Sequence, residues 1–136
     1  MKGGTGDIAF ALLRIAAGLQ LFAFHGWSKL LAAYAHFAHG NDWKFAQGVG
    51  NLGFPFPVIF ASLSTFTEGI LSLFLVFGLL TRYAAAFIVI NMAVAIYRHM
   101  ASDLRFELAA LYGFIALVFV LVPPGSFSVD AARGKI

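Results

Sequence analysis

The chain has 136 residues, of which 61% are hydrophobic and 11% are charged, and it contains no cysteine. Soluble domains carry about 25% charged residues, so the composition excludes an ordinary soluble domain and points to lipid as the surrounding solvent. The length favours a single domain over residues 1–136, and the lack of cysteine excludes disulfides and thiolate metal sites. The net charge of +3 comes without the basic run that is typical of nucleic-acid binding, so no nucleic-acid partner is expected.

Four apolar segments are each long enough to cross a bilayer, which takes roughly 20 residues. They lie at about residues 7–34, 56–80, 82–101 and 104–122. Arg14 and the length of the first apolar run argue against a cleaved signal peptide, so the first segment is interpreted as a retained helix. The fourth segment ends at Pro123-Pro124-Gly125, which cannot continue a helix. The sequence therefore predicts an all-α integral membrane protein.

The connections between the segments predict an antiparallel four-helix bundle. The links at 79–83 and 101–105 allow only tight turns, whereas 36–57 is a longer loop in which Trp43 is expected at the lipid headgroups. Four spans place both termini on the same side of a cell inner (plasma) membrane. The Lys and Arg residues near the helix ends on that side favour cytoplasmic termini, and they are Lys2, Arg82, Arg133 and Lys135.

Several ionisable residues interrupt the predicted spans, and each would cost about 2.5–3.5 kcal/mol if it faced lipid at the bilayer centre. They are therefore expected to face the bundle interior and to pair. At ~100° per residue, Arg14, His25 and Lys29 share one face of the first helix. The rise of ~1.5 Å per residue predicts two polar layers, one of Arg14, Glu68 and Asn91 and one of His25, Arg98 and Glu107, with Lys29 beyond the second.

Each predicted pair has a functional and a structural interpretation. Glu68 with Arg14 is either a proton or substrate site or an ion pair that fixes helix register. Arg98 with Glu107 would bridge two helices across a short turn, which favours a structural role. His25 and Lys29 either bind a quinone-like or anionic ligand, or serve packing while Lys29 extends to the interface. The four histidines show no spacing diagnostic of a metal site, so none is assigned.

The chain resembles the DoxX family of small membrane proteins. The resemblance runs from "LLRIAAGLQLFAFHGWSKL" (12–30) through "TEGILSLFLVFGLLTR" (67–82) to "PGSFSVD" (124–130). It implies a four-helix membrane bundle as one DoxX-like domain in a membrane redox setting. Among the family's namesakes, a related membrane subunit works with a partner protein in a thiosulfate:quinone oxidoreductase, and distant relatives act as assembly factors or in lipid handling.

Two functions follow as hypotheses. The first is an integral membrane subunit of, or accessory to, a quinone-linked oxidoreductase system, with quinone as its cofactor and electrons supplied by a partner redox protein. The second is a non-catalytic membrane assembly or anchoring factor that stabilises a partner protein or forms a homo-oligomer. No catalytic residue is assigned, and the chain is not expected to be catalytic alone. The candidate ligand-binding residues are His25, Lys29, Arg14, Glu68, Asn91, Arg98 and Glu107.

Overall fold

The computed structural model describes residues 3–134, and the regular secondary structure within that range is entirely helical. The helices are α1 (Thr5–His39), α2 (Lys44–Asn51), α3 (Pro57–Phe77), α4 (Thr81–Ser102), α5 (Glu107–Leu121) and α6 (Val129–Ala132). Lys2 and Lys135, two of the basic residues that favour cytoplasmic termini, lie outside the described residues.

Three helices, α1, α3 and α4, are long and apolar enough to cross a membrane. The fourth predicted span is shorter than expected, because α5 begins only at Glu107 and has 15 residues. Leu104 adopts a left-handed backbone conformation with φ of 59°, which prevents the helix from starting at the predicted position. At ~1.5 Å per residue, α5 extends roughly 22 Å, which is less than the hydrocarbon thickness of roughly 30 Å.

The outward surface of the long helices is apolar, as lipid contact requires. Each presents large hydrophobic side chains with more than half of their surface exposed, including Leu12 on α1, Ile59 on α3, Ile90 on α4 and Phe114 on α5. The buried core is centred between α4 and α5 and is made of small and medium apolar side chains with two aromatic rings, Tyr112 and Phe119. The apolar exterior therefore confirms the prediction that lipid is the solvent of these helices.

The long loop predicted at 36–57 contains the amphipathic helix α2, which packs on α3. Trp43 precedes α2 and is only 3% exposed, although the sequence places it at the headgroups. Its indole packs with Ala46 of α2 and Ala61 of α3. Trp43 thus anchors α2 against the membrane helices, and α2 is held over the space between α3 and α4.

Both α1 and α3 contain a wide π-helical turn near the middle, at Phe22–Gly26 and Thr67–Leu71. The two turns lie against each other, because a Cβ placed on Gly26 would collide with the carbonyl group of Glu68. Glycine is therefore required for this close backbone approach. Turns of this kind are frequent at functional sites. The contact brings Lys29, one turn beyond Gly26, within reach of Glu68.

We predict that Gly26→Ala destabilises the protein, because the added methyl group meets backbone that has no room to yield. Overpacking of this kind costs about 1–3 kcal/mol. The measurement is thermal unfolding of the detergent-solubilised protein, with Gly6→Ala as the control, since a Cβ at Gly6 meets no neighbouring atom within 4 Å. Equal unfolding temperatures for the two variants would contradict the close approach of the π-helical turns.

Candidate functional site

A buried carboxylate, Glu68, joins three helices. Its side chain on α3 accepts a hydrogen bond from Lys29 of α1 at 2.8 Å (Nζ to Oε2) and one from Asn91 of α4 at 2.6 Å (Nδ2 to Oε1). Glu68 is only 4% exposed. Each carboxylate oxygen therefore has a nitrogen donor, which is the arrangement that compensates a buried negative charge. We refer to Lys29, Glu68 and Asn91 as the polar triad.

Lys29 is held on two sides. Its ammonium nitrogen pairs with Glu68 and also lies 4.3 Å from the ring centroid of Phe45 on α2. A cation above an aromatic face is attracted by the negative face of the ring. The side chain of Lys29 stays 24% exposed and lines an adjacent cavity. The charges of the triad thus compensate each other while the side chain of Lys29 remains partly accessible.

A cavity of about 360 Å³ lies between α3 and α4 and beneath α2, and the triad forms part of its wall. Most of the remaining wall is apolar and aromatic, with Phe45 on α2, Phe54 in the segment after α2, and Phe60 and Phe87 on the membrane helices. A mostly apolar cavity with a few convergent polar groups is the usual form of a small-molecule site. This cavity is the candidate functional site.

The cavity opens sideways toward the lipid. Leu63 of α3 and Phe87 and Ile90 of α4 line it, and each has more than half of its surface exposed on the outward face of the helices. A molecule dissolved in the bilayer would therefore reach the polar triad by passing between α3 and α4. Such a molecule would not have to cross the aqueous phase.

The predicted layer of Arg14, Glu68 and Asn91 is wrong for Arg14. Its guanidinium is 1% exposed and donates from Nη1 to the carbonyl groups of Leu75 and Val76 at 2.8 and 2.7 Å, and from Nη2 to that of Phe127 at 2.6 Å. The carbonyl groups in the last turn of α3 have no intrahelical partner, and a cation is favourable at a helix C-terminus. Arg14 therefore caps α3 instead of pairing with Glu68.

The predicted layer of His25, Arg98 and Glu107 is also wrong. Arg98 and Glu107 are both exposed, and no ion pair joins them in the described part of the chain. Glu107 is the first residue of α5, so it lies at the helix end, where a carboxylate is favoured by the helix dipole. Arg98 instead lines the cavity, and the half-buried His25 packs edge-on against Tyr112 with ring centroids 5.8 Å apart.

Asp130 connects the C-terminal segment to the start of α4, and the sequence did not predict this contact. Its carboxylate accepts three hydrogen bonds of 2.8 Å, from the N–H of Leu80 and from the N–H and hydroxyl of Thr81. It thereby caps the N-terminus of α4. Burial raises the pKa of Asp130, but the hydrogen bonds from Thr81 and Leu80 outweigh it and lower the pKa below its ordinary value. The Ser-x-Asp pattern in "SVD" indicates a capping role for Asp130, but it does not reveal the partners, which lie about 50 residues away in the chain.

We predict that Asp130→Ala lowers the unfolding free energy by about 1 kcal/mol, the usual cost of losing a helix N-cap. Because folding lowers the pKa of Asp130, its stabilising effect is fully present above about pH 4 and is lost as the pH falls through the folded-state pKa. Thermal unfolding of both proteins between pH 7 and pH 3 measures this. The difference between them should shrink in acid, and a difference that grows toward pH 3 would contradict the capping role.

The apolar exterior and the membrane-length helices define a multi-pass helical membrane protein, and the polar triad connects three of its helices. The DoxX family model matches residues 9–101, which is more than half of the chain, and the chain belongs to the DoxX family. The match includes most of α1, all of α3 and all but the last residue of α4, and it therefore includes each residue of the polar triad. Comparisons with curated proteins and with solved structures find no match.

Proposed function

We propose that this DoxX protein is a membrane subunit of, or accessory to, a quinone-linked oxidoreductase system, and that its cavity binds a quinone-like ligand. The observation that carries the proposal is the position of the polar triad, which joins three helices around the buried Glu68 and is part of a cavity between α3 and α4 with apolar, outward-exposed residues in its wall. Isoprenoid quinones combine a polar ring with an apolar tail. A site with a polar inner wall and a lipid-facing opening complements both parts.

Each residue of the triad would make a different contact with the ligand. The ammonium group of Lys29 keeps donors beyond the one used by Glu68, and these would bind a carbonyl oxygen of the ligand. Asn91 gives one amide hydrogen to Glu68 and keeps its own carbonyl oxygen as an acceptor for a hydroxyl group. Glu68 would hold or release a proton beside the ligand. A bound quinone supplies two-electron, two-proton chemistry, and a partner redox protein would supply the electrons.

We further propose the four-helix bundle with both termini on the same, cytoplasmic, side of the inner membrane. The contacts at the two ends of the described chain support this arrangement. The N–H of Gly3 lies 3.3 Å from the hydroxyl oxygen of Ser126, which follows α5. Arg14 of α1 also binds the carbonyl group of Phe127. The start of α1 and the segment after α5 thus meet at one end of the molecule.

We predict that reporter fusions at the two termini give the same membrane topology. A periplasmic enzyme reporter, which is active only outside the cytoplasm, should be inactive at either terminus, and a fluorescent protein that folds in the cytoplasm should be bright at both. A fusion inserted at Asn41, in the link between α1 and α2, should give the opposite pattern. Opposite signals from the two termini would rule out an even number of crossings.

The second candidate, a non-catalytic assembly or anchoring factor, is favoured by the way Arg14 and Asp130 are used. Both are buried charged groups whose partners are helix ends, so they stabilise the fold without forming a ligand site. The ion pair between Lys29 and Glu68 would then have the same structural role. The two candidates differ in whether the wild-type protein binds a quinone.

We predict that Lys29→Gln weakens binding of a short-tailed quinone by tenfold or more, since a charged hydrogen bond contributes about 1.5–3 kcal/mol. The measurement is quenching of tryptophan fluorescence during titration of the detergent-solubilised protein. Arg82→Gln is the control, because Arg82 is exposed and lies outside the cavity wall.

Equal affinity of wild-type and Lys29→Gln protein would contradict the role of the triad in binding. Two results together would favour the anchoring function over the redox function. The folded wild-type protein would bind no quinone, and the Glu68→Gln variant would unfold at a lower temperature than the wild-type protein.

A further inference from the structure

The wall of the cavity carries more positive than negative charge. Its charged side chains are Lys29, Lys44, Arg98 and Glu68. Lys29 compensates Glu68 at 2.8 Å, whereas the side chains of Lys44 and Arg98 form no salt bridge with any acidic group in residues 3–134. Two cations therefore line the same cavity without a counter-charge.

The helix that carries Lys44 adds to this positive potential. Lys44 and Phe45 are the first two residues of α2, and both line the cavity. The N-terminus of α2 has no side-chain cap, and its first turn contains no acidic residue. The nearby Asp42 lines a separate cleft. The free N–H groups and the dipole of a helix N-terminus favour an anion, so α2 acts in the same direction as the two cations.

The two cations lie at the outer end of the cavity and the triad at its inner end. Arg98 and Asn91 are two helical turns apart on α4, which is a distance of roughly 10 Å. Lys44 and Arg98 are both exposed, as expected near the membrane surface, whereas Glu68 is buried. The cations and the triad are therefore different parts of the cavity with different depths.

An apolar groove leads from this outer end toward the lipid. Leu63, Phe87 and Ile90 line the cavity and are also exposed on the outward face between α3 and α4. A soluble anion would gain nothing from such a wall. An amphiphile with an acidic headgroup would place its charge at the cations and its chain along the groove.

We propose that Lys44 and Arg98 bind the acidic headgroup of a membrane lipid whose hydrocarbon chain lies in the groove between α3 and α4. Basic pockets between membrane helices are suited to acidic lipid headgroups. This site does not depend on the redox function, because it uses neither the triad nor an electron-donating partner. The groove is also the route by which a ligand would reach the triad, so the lipid chain and such a ligand would share it.

The test measures binding of phosphatidylglycerol and of phosphatidylcholine to the detergent-solubilised protein by native mass spectrometry. The wild-type protein should retain phosphatidylglycerol in preference to phosphatidylcholine. The double variant Lys44→Gln/Arg98→Gln should bind phosphatidylglycerol roughly 30-fold more weakly, at roughly fivefold for each cation removed. Its affinity for phosphatidylcholine should be unchanged.

The control is Arg82→Gln/Arg105→Gln, which removes the same number of charges from exposed residues outside the cavity wall. It should bind phosphatidylglycerol as the wild-type protein does. An equal loss in the control would show diffuse attraction to the protein surface and overturn the site. Equal binding of the two lipids to the wild-type protein would overturn it as well.

Competition with inorganic phosphate distinguishes a lipid ligand from a soluble anion. Millimolar phosphate should not displace phosphatidylglycerol from the wild-type protein, since phosphate gains nothing from the groove. Displacement by phosphate would overturn the lipid assignment. Circular dichroism of each variant shows that it remains helical, and the unchanged affinity for phosphatidylcholine shows that the groove is intact.

Discussion

The structure depends on the compensation of one buried negative charge. Glu68 lies between three helices, and its two oxygens accept from Lys29 and Asn91. Removing one partner of a buried ion pair is strongly destabilising, so the three helices are tied to a single arrangement. The close approach of the two π-helical turns through Gly26 makes this contact geometrically feasible. The same arrangement leaves Lys29 and Asn91 in the wall of a cavity, so the interaction that joins the helices also creates the candidate site.

At the end of the molecule where α3 ends and α4 begins, charged side chains satisfy the polar groups of helix ends. Helix ends inside or near a membrane expose carbonyl and N–H groups that lipid cannot satisfy. Arg14 satisfies carbonyl groups at the end of α3, and Asp130 satisfies N–H groups at the start of α4. These charged residues keep the turn between α3 and α4 and the C-terminal segment together. Arg14 and Asp130 thus stabilise the fold at one end of the molecule, whereas the polar triad lies in the wall of the cavity.

The sequence allowed prediction of the helical membrane fold and of the inward position of Arg14, Lys29 and Glu68, but not of their partners. The same prediction was wrong for Arg98 and Glu107, which are exposed. Arg14, Lys29 and Glu68 each lie in a polar environment, as the cost of charge in lipid requires. Depths counted along straight helices were unreliable because α3 ends at Phe77, earlier than expected, and the π-helical turns shift the register. The partners of Arg14 are backbone carbonyl groups, and those of Asp130 are distant in the chain, so no residue pattern reveals them.

We propose that the polar triad holds a lipid-soluble ligand and does not serve stability alone. Native mass spectrometry of protein extracted gently from its own membrane tests this claim most directly, because it reports bound small molecules together with partners. We expect the wild-type protein to carry a species with the mass of a quinone, and Asn91→Leu protein of equal helicity to lack it. Folded wild-type protein without such a species, or an Asn91→Leu protein that retains it, would contradict the account.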